Sequence, residues 1–265
     1  MTQQQEVTDT GASPERDRGA PALRLDAVTK QFGGVTAVHT VSMRVDEGQR
    51  WAVIGPNGAG KTTLFKTIAG EEIPTSGTIE VFGDDVTSMP ADRRAHRGIG
   101  RTYQVTNLFN GLTVEENLVL ASQGRSRSRF KSWWPVRLRG DLRDNVDWAL
   151  EQLRLTDVRK AVVSELGHGQ QRQLELAVGL ASRPRVLLLD EPAAGLSASE
   201  RGMMRHLIEE LPRDLTIVLI EHDMSLALEL VEWVLALDNG VPIAEGSPEE
   251  IRANEQVQSV YLRSE

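Results

Sequence analysis

The stretch that decides the fold reads Arg50-Trp51-Ala52-Val53-Ile54-Gly55-Pro56-Asn57-Gly58-Ala59-Gly60-Lys61-Thr62-Thr63. A short apolar run enters a glycine-rich turn, and the turn enters a helical segment, Thr63 to Ala69 (TLFKTIA). Strand, then G-x-x-x-x-G-K-[ST], then helix is the order of a phosphate-binding loop. Glycines let successive backbone N–H groups turn into one concavity, where phosphate oxygens sit. The helix N-terminus adds a favourable dipole. Gly55, Pro56, Asn57, Gly58, Ala59, Gly60, Lys61, Thr62 and Thr63 are therefore expected to hold a phosphate chain. Lys61 is placed to reach the β- and γ-phosphates, and the Thr62 hydroxyl to bind Mg²⁺.

Further along, Val186 to Leu189 (VLLL) and Leu215 to Ile220 (LTIVLI) repeat the short, continuous apolar character of Arg50 to Ile54. Strands of this kind are buried on both faces, as in parallel sheets. Ahead of the loop the pattern differs. Leu23, Leu25 and Ala27 alternate with Arg24 and Asp26, and Val41, Met43 and Val45 alternate likewise, as do Ile79 and Val81. These read as half-buried, antiparallel strands. Helical faces lie between the strands: Leu174, Ala177, Val178 and Ala181 form one, Met224, Leu228 and Val231 another. Asn239-Gly240 predicts a hairpin. Residues 105 to 180 read as helical, with a capping box, Thr113 and Glu116, opening one helix. The class is thus α/β, a parallel-sheet core with an N-terminal antiparallel β subdomain and an inserted helical subdomain. Residues 1–21 read as a disordered tail, 22–246 as the domain that carries the phosphate loop, with the helical insert at about 105–180, and 247–265 as a helical extension.

The run Leu187-Leu188-Leu189-Asp190-Glu191 ends a buried strand in two carboxylates, where α/β sheets bind ligands. With a phosphate loop upstream, Asp190 is expected to hold Mg²⁺ through water and Glu191 to polarise the attacking water as general base.

Composition narrows the setting. The chain has 265 residues, 40% hydrophobic and 26% charged, as in ordinary globular proteins. Its net charge of -8 argues against broad nucleic-acid binding, since surfaces that neutralise phosphates are usually basic. It has no cysteine, which excludes a disulfide framework and thiolate metal sites. No window approaches the roughly 18 consecutive apolar residues of a membrane span, so a role at a membrane requires a partner there.

Together these motifs resemble the ABC ATPase family over roughly residues 23 to 265. Gln104 resembles the family's Q-loop glutamine, which would place it near nucleotide and Mg²⁺. Leu166-Gly167-His168-Gly169-Gln170 resembles its LSGGQ signature, His222 its switch histidine, and Phe32 the aromatic that stacks on adenine. Asp190-Glu191-Pro192 is typical. Two departures stand out. Gly167 replaces the signature serine, so backbone N–H groups and the helix beginning near Gln170 must contact the γ-phosphate. Ala198 stands where the family often has aspartate at a contact between subunits.

The resemblance implies an ATPase with ATP and Mg²⁺ as nucleotide and cofactor, and Glu191, His222 and Lys61 as catalytic residues. It implies a head-to-tail pair, homo- or heterodimeric, in which the signature of one subunit faces the phosphate loop of the other. It implies integral membrane transporter subunits, an extracytoplasmic substrate-binding protein in the complex, no nucleic acid, and a peripheral position on the cytoplasmic face of the membrane. GRTYQVTNLFNGLTVEENL, GQQRQLELA, EHDM and GSPEEIRANEQVQSVYL look like the ATPase subunits of branched-chain amino acid importers, in particular the larger of the two. Relatives serving urea, amides and lipopolysaccharide export stay open. So do two non-transport classes: a soluble ABC ATPase, though the chain lacks heptads or a second cassette, and a non-catalytic regulator, which intact Lys61, Glu191 and His222 speak against.

Residues 121 to 143 carry seven Arg or Lys against one Asp around Trp133-Trp134-Pro135. They read either as a solvated basic loop or, given the paired tryptophans, as a contact with the membrane surface or the membrane subunit.

Overall fold

The computed structural model describes residues 19–102, 108–123 and 140–262. Gln104 and the Trp133-Trp134 segment lie outside them.

The chain opens with β1 (Leu23–Phe32) and β2 (Val35–Val45), an antiparallel pair. The expected alternation holds at Leu23, Leu25, Val41, Met43 and Val45, all buried. It breaks at Ala27, whose φ of 49° marks a bulge, and the inward position passes to Val28. β3 (Arg50–Ile54) leads into α1 (Lys61–Ala69). β4 (Ser76–Val81) pairs with β1 and with the short β5 (Asp84–Asp85), giving an antiparallel sheet in the order β2-β1-β4-β5.

α2 (Ala91–His96) precedes β6 (Ile99–Arg101). A helical layer follows: α3 (Val114–Gln123), α4 (Asp141–Gln152) and α5 (His168–Leu180). The capping box at α3 is present: Glu116 N–H donates to Thr113 Oγ1 at 3.2 Å, and Thr113 N–H to Glu116 Oε2 at 2.8 Å. The chain then alternates through β7 (Val186–Asp190), α6 (Ala198–Glu210), β8 (Thr216–Ile220), α7 (Met224–Leu230) and β9 (Trp233–Asp238), and turns through Asn239-Gly240 into β10 (Val241–Gly246). Asn239 and Gly240 both have positive φ, 48° and 80°, as the tight hairpin requires. α8 (Pro248–Ala253) and α9 (Glu255–Leu262) follow.

The second sheet runs β10-β9-β3-β8-β7-β6, parallel except for the β9–β10 hairpin. Every residue of β3, β7 and β8 is buried, as the unbroken apolar runs require. One face packs against α5, α6 and α7, with Leu187, Leu189, Ile217 and Leu219 in that cluster. The other packs against α1 and the antiparallel sheet through Val53, Val186, Leu188 and Val218. Truncating a side chain such as Leu188 here costs about 2–5 kcal/mol. Sandwiching the sheet fixes the C-terminal ends of β3, β7 and β8 side by side, and those ends carry the site.

Candidate nucleotide site

The loop between β3 and α1 has the geometry its glycines permit. Gly55 adopts φ 147°, and a Cβ there would lie 2.2 Å from Leu237 O. Gly60 adopts φ 95°, with Ala37 O 2.3 Å from the position of a Cβ. Neither position admits a side chain. Arg94 holds the far end of α1: its Nη1 donates to Thr67 O at 2.6 Å and Ile68 O at 2.8 Å, satisfying carbonyls that the helix end leaves open. Burial lowers the Arg94 pKa to about 10, so the guanidinium stays charged.

Ala37, Asn57, Gly58, Ala59, Gly60, Lys61, Thr62, Thr63 and Glu191 line a groove of about 240 Å³. Lys61 is folded into the loop, its Nζ donating to Gly55 O at 2.6 Å and Pro56 O at 2.9 Å. Burial lowers its pKa, while Glu191 and Asp190 oppose that shift. The ammonium is thus held by two loop carbonyls beside two carboxylates.

Asp190 ends β7 and is buried. Its N–H donates to Thr102 Oγ1 at 3.2 Å. Arg101 Nη2 lies 3.1 Å from its Oδ2, and Nη1 of the same guanidinium lies 2.9 Å from Glu71 Oε1. Burial raises the Asp190 pKa, and Arg101 opposes the rise by charge and hydrogen bond. Asp190 Oδ1 is buried without a hydrogen-bond partner among the described residues. A hard oxygen donor of this kind, near enough to the groove to act on the Lys61 charge, fits Mg²⁺.

Glu191 follows at φ 49°, a left-handed conformation unusual outside glycine. Its Oε2 lies 4.0 Å from His222 Nδ1, and His222 is more than half exposed. The structure thus brings the phosphate loop, Asp190, Glu191 and His222 to one edge of the sheet. Phe32 ends β1, 45% exposed, with Lys30 Nζ 4.8 Å from its ring centroid, and is free to meet a planar ligand.

The signature residues do not line this groove. Gly167 caps α5, which starts at His168, two residues before Gln170, and Gln170 Oε1 accepts the Gly167 N–H at 3.3 Å. Gly169 N–H donates to Glu200 Oε1 at 3.1 Å, and Glu200 also completes the capping box with Ser197 that opens α6. Ala198 is the first residue of that helix.

Three residues of the site went unnoticed in the sequence. Arg101 lies on a three-residue strand, too short for periodicity to reveal. Glu200 shows itself only as the fourth residue of S-x-x-E after Ser197. Tyr261 lies in the last helix, yet its hydroxyl accepts the Gly55 N–H at 2.8 Å.

Comparison with known proteins agrees with this geometry. A family profile described as ABC transporter matches residues 38–194, and one described as branched-chain amino acid ATP-binding cassette transporter matches residues 241–262. The chain is 38% identical, over 91% of its length and 98% of the relative's, to the high-affinity branched-chain amino acid transport ATP-binding protein BraF of Pseudomonas aeruginosa. It is 36% identical to the protein LivG of Escherichia coli, likewise a high-affinity branched-chain amino acid transport ATP-binding protein, over 91% of this chain and 98% of that one. Among solved structures, the ADP conformation of MJ1267, an ATP-binding cassette of an ABC transporter, superposes with a TM-score of 0.82 at 28% identity, covering 91% of this chain and 98% of that chain. A dimeric, post-hydrolysis cassette, MJ0796 bound to ADP and Pi, superposes with a TM-score of 0.72 at 25% identity, covering 85% and 98%.

Proposed function

The chain belongs to the ABC transporter family as an ATP-hydrolysing subunit, and from that premise we propose that it drives import of branched-chain or related amino acids. The observation that carries the substrate class is the match of residues 241–262 to a profile of that transporter group, joined to 38% identity with BraF over nearly the whole chain.

In this reading ATP occupies the groove over Gly55 to Thr63, with Phe32 against the adenine and Lys61 on the β- and γ-phosphates. Thr62 and Asp190 would hold Mg²⁺, which would supply positive charge to offset the charge that develops on the phosphates. Glu191 accepts a proton from the attacking water, and His222, beside it, donates to the γ-phosphate. Phosphoryl transfer asks mainly for positioning and charge stabilisation, which these groups supply. The groove lacks the signature residues, Leu166 to Gln170. A second ATPase subunit, the same chain or a related one, supplies them head-to-tail, so that backbone N–H groups at the start of α5 meet the γ-phosphate.

No described helix is long and apolar enough to cross a membrane. As in the transporter family it belongs to, integral membrane subunits hold the chain at the cytoplasmic face, with Gln104 reporting nucleotide state to them. A substrate-binding protein acts on the far side, and no nucleic acid is involved. Uptake of labelled leucine, isoleucine and valine by cells lacking this chain tests the reading. Uptake is expected to fall and to be restored by the wild-type chain but not by Glu191→Gln. Unaltered uptake of all three, with loss of another solute such as urea, would reassign the substrate.

A further inference from the structure

Glu221 stands between β8 and His222 and is completely buried, at 0% exposure. Its Oε1 accepts the Ala193 N–H at 3.2 Å. Its Oε2 lies 3.8 Å from His222 Nδ1 and has no hydrogen-bond partner among the described residues. The same His222 nitrogen lies 4.0 Å from Glu191 Oε2. One imidazole nitrogen therefore faces two carboxylates, one in the nucleotide groove and one behind it.

The Ala193 contact bears on Glu191. A residue other than glycine keeps a left-handed backbone only where its surroundings over-determine it, and Glu191 has φ 49°. Its N–H donates to Ile220 O at 3.0 Å, and its carbonyl accepts the Ala194 N–H at 3.1 Å. The Glu221 carboxylate adds a third tie to this turn, from the strand end that also carries His222. A buried carboxyl with one oxygen unsatisfied is costly to keep, and an apolar side chain would fill the space without that cost. The acid is in the right place to hold the general base and the histidine in one register.

We propose that Glu221 is a positioning residue for hydrolysis: its carboxylate pins the turn that aims Glu191 and faces the His222 imidazole, so that both reach the nucleotide together. Glu221 does not line the nucleotide groove, so it acts through the other two residues and not on ATP itself. The inference rests on the reading of Glu191 and His222 as the hydrolytic pair.

The test uses the full chain with Glu221→Ala, which removes the acceptor, and Glu221→Gln, which keeps one acceptor oxygen at the same reach. Glu221→Ala is expected to lower kcat about 10- to 100-fold, the scale of a small misplacement of a catalytic group, with KM for ATP within about twofold. Glu221→Gln is expected to recover most of the loss. The amide resonance of Ala193, shifted downfield by a carboxylate acceptor, is expected to move upfield in Glu221→Ala and much less in Glu221→Gln. Where Glu221→Ala does not fold, Glu221→Asp, one methylene shorter, takes its place with the same expectations. Unchanged kcat in the Ala variant, a rise in KM that accounts for the loss, or equal impairment of Ala and Gln variants of normal stability would each overturn the proposal. Glu191→Gln, measured alongside, keeps the outcomes apart. Normal turnover in that variant removes the premise about Glu191, whereas a loss there with none in Glu221→Ala removes only the role of Glu221.

Discussion

The Tyr261 hydroxyl accepts the N–H of Gly55 at 2.8 Å, so the last helix braces the first residue of the phosphate loop across 206 positions of sequence. Gly55 is buried, and its N–H needs an acceptor. Tyr261→Phe keeps the ring and removes that acceptor, which costs about 1–3 kcal/mol. Thermal unfolding is expected a few degrees lower, with weaker ATP binding by titration. An identical Tm and identical ATP affinity would show that α9 does not support the loop.

Arg101 and Asp190 form a second long-range pair, both nearly inaccessible, with side chains 6% and 1% exposed. Removing one partner leaves the other charge buried and uncompensated, which typically costs about 3–5 kcal/mol. Arg101→Gln should therefore unfold at clearly lower urea concentration than the wild type. Arg101→Lys, which keeps the charge but not the fork, should fall between them. Equal midpoints for all three would mean that Arg101 does not offset the Asp190 charge.

Burial raises the Glu221 pKa to about 7, against the Ala193 N–H and His222, while Glu191 and Asp223 add to the rise. An unfolded glutamate releases its proton near pH 4.5, and the folded one retains it to about 7. Between those values the folded state binds more protons, so stability falls as pH rises. The shift corresponds to a loss on the order of 3 kcal/mol, complete above about pH 7. Glu221→Gln removes this loss. Its stability relative to the wild type should increase from pH 5 to pH 8 in chemical denaturation. A constant difference across that range would place the Glu221 pKa near its ordinary value.

At the signature, a Cβ on Gly167 meets nothing within 4 Å, whereas one on Gly169 comes within 2.8 Å of Glu200 Oε1. Gly167→Ser should hydrolyse ATP normally. Gly169→Ala displaces the Glu200 carboxylate, and a modest loss is expected. Gly169→Asp adds a negative charge beside Glu200 and, in the proposed head-to-tail pair, towards the γ-phosphate of the opposing site, and should lose far more. Equal ATPase rates for the Ala and Asp variants in the assembled complex would show that charge at this helix end does not reach the nucleotide.

The sequence made the central strands and the phosphate loop legible because their signals are local. Three unbroken apolar runs announced β3, β7 and β8, and one glycine pattern announced the turn. The antiparallel sheet was equally plain except at Ala27, where a bulge moves the inward position to Val28. The contacts that tune the site were not legible. Arg101 meets Asp190 only because β6 pairs with β7, and Tyr261 meets Gly55 only because the last helix packs back on the sheet edge. Such pairings are set by tertiary packing, which leaves no periodic trace in either segment. Glu221 carries no local signal of its role, and its complete burial follows from its place at the end of a central strand.

Hydrolysis and binding measured on one purified Glu191→Gln protein test the account most directly. Glu191 lines the nucleotide groove and lies 4.0 Å from His222. The substitution keeps size and hydrogen-bonding capacity while removing the basic oxygen. The account predicts ATP affinity close to that of the wild type and turnover lower by roughly two orders of magnitude or more. Near-normal turnover with intact ATP binding would contradict it.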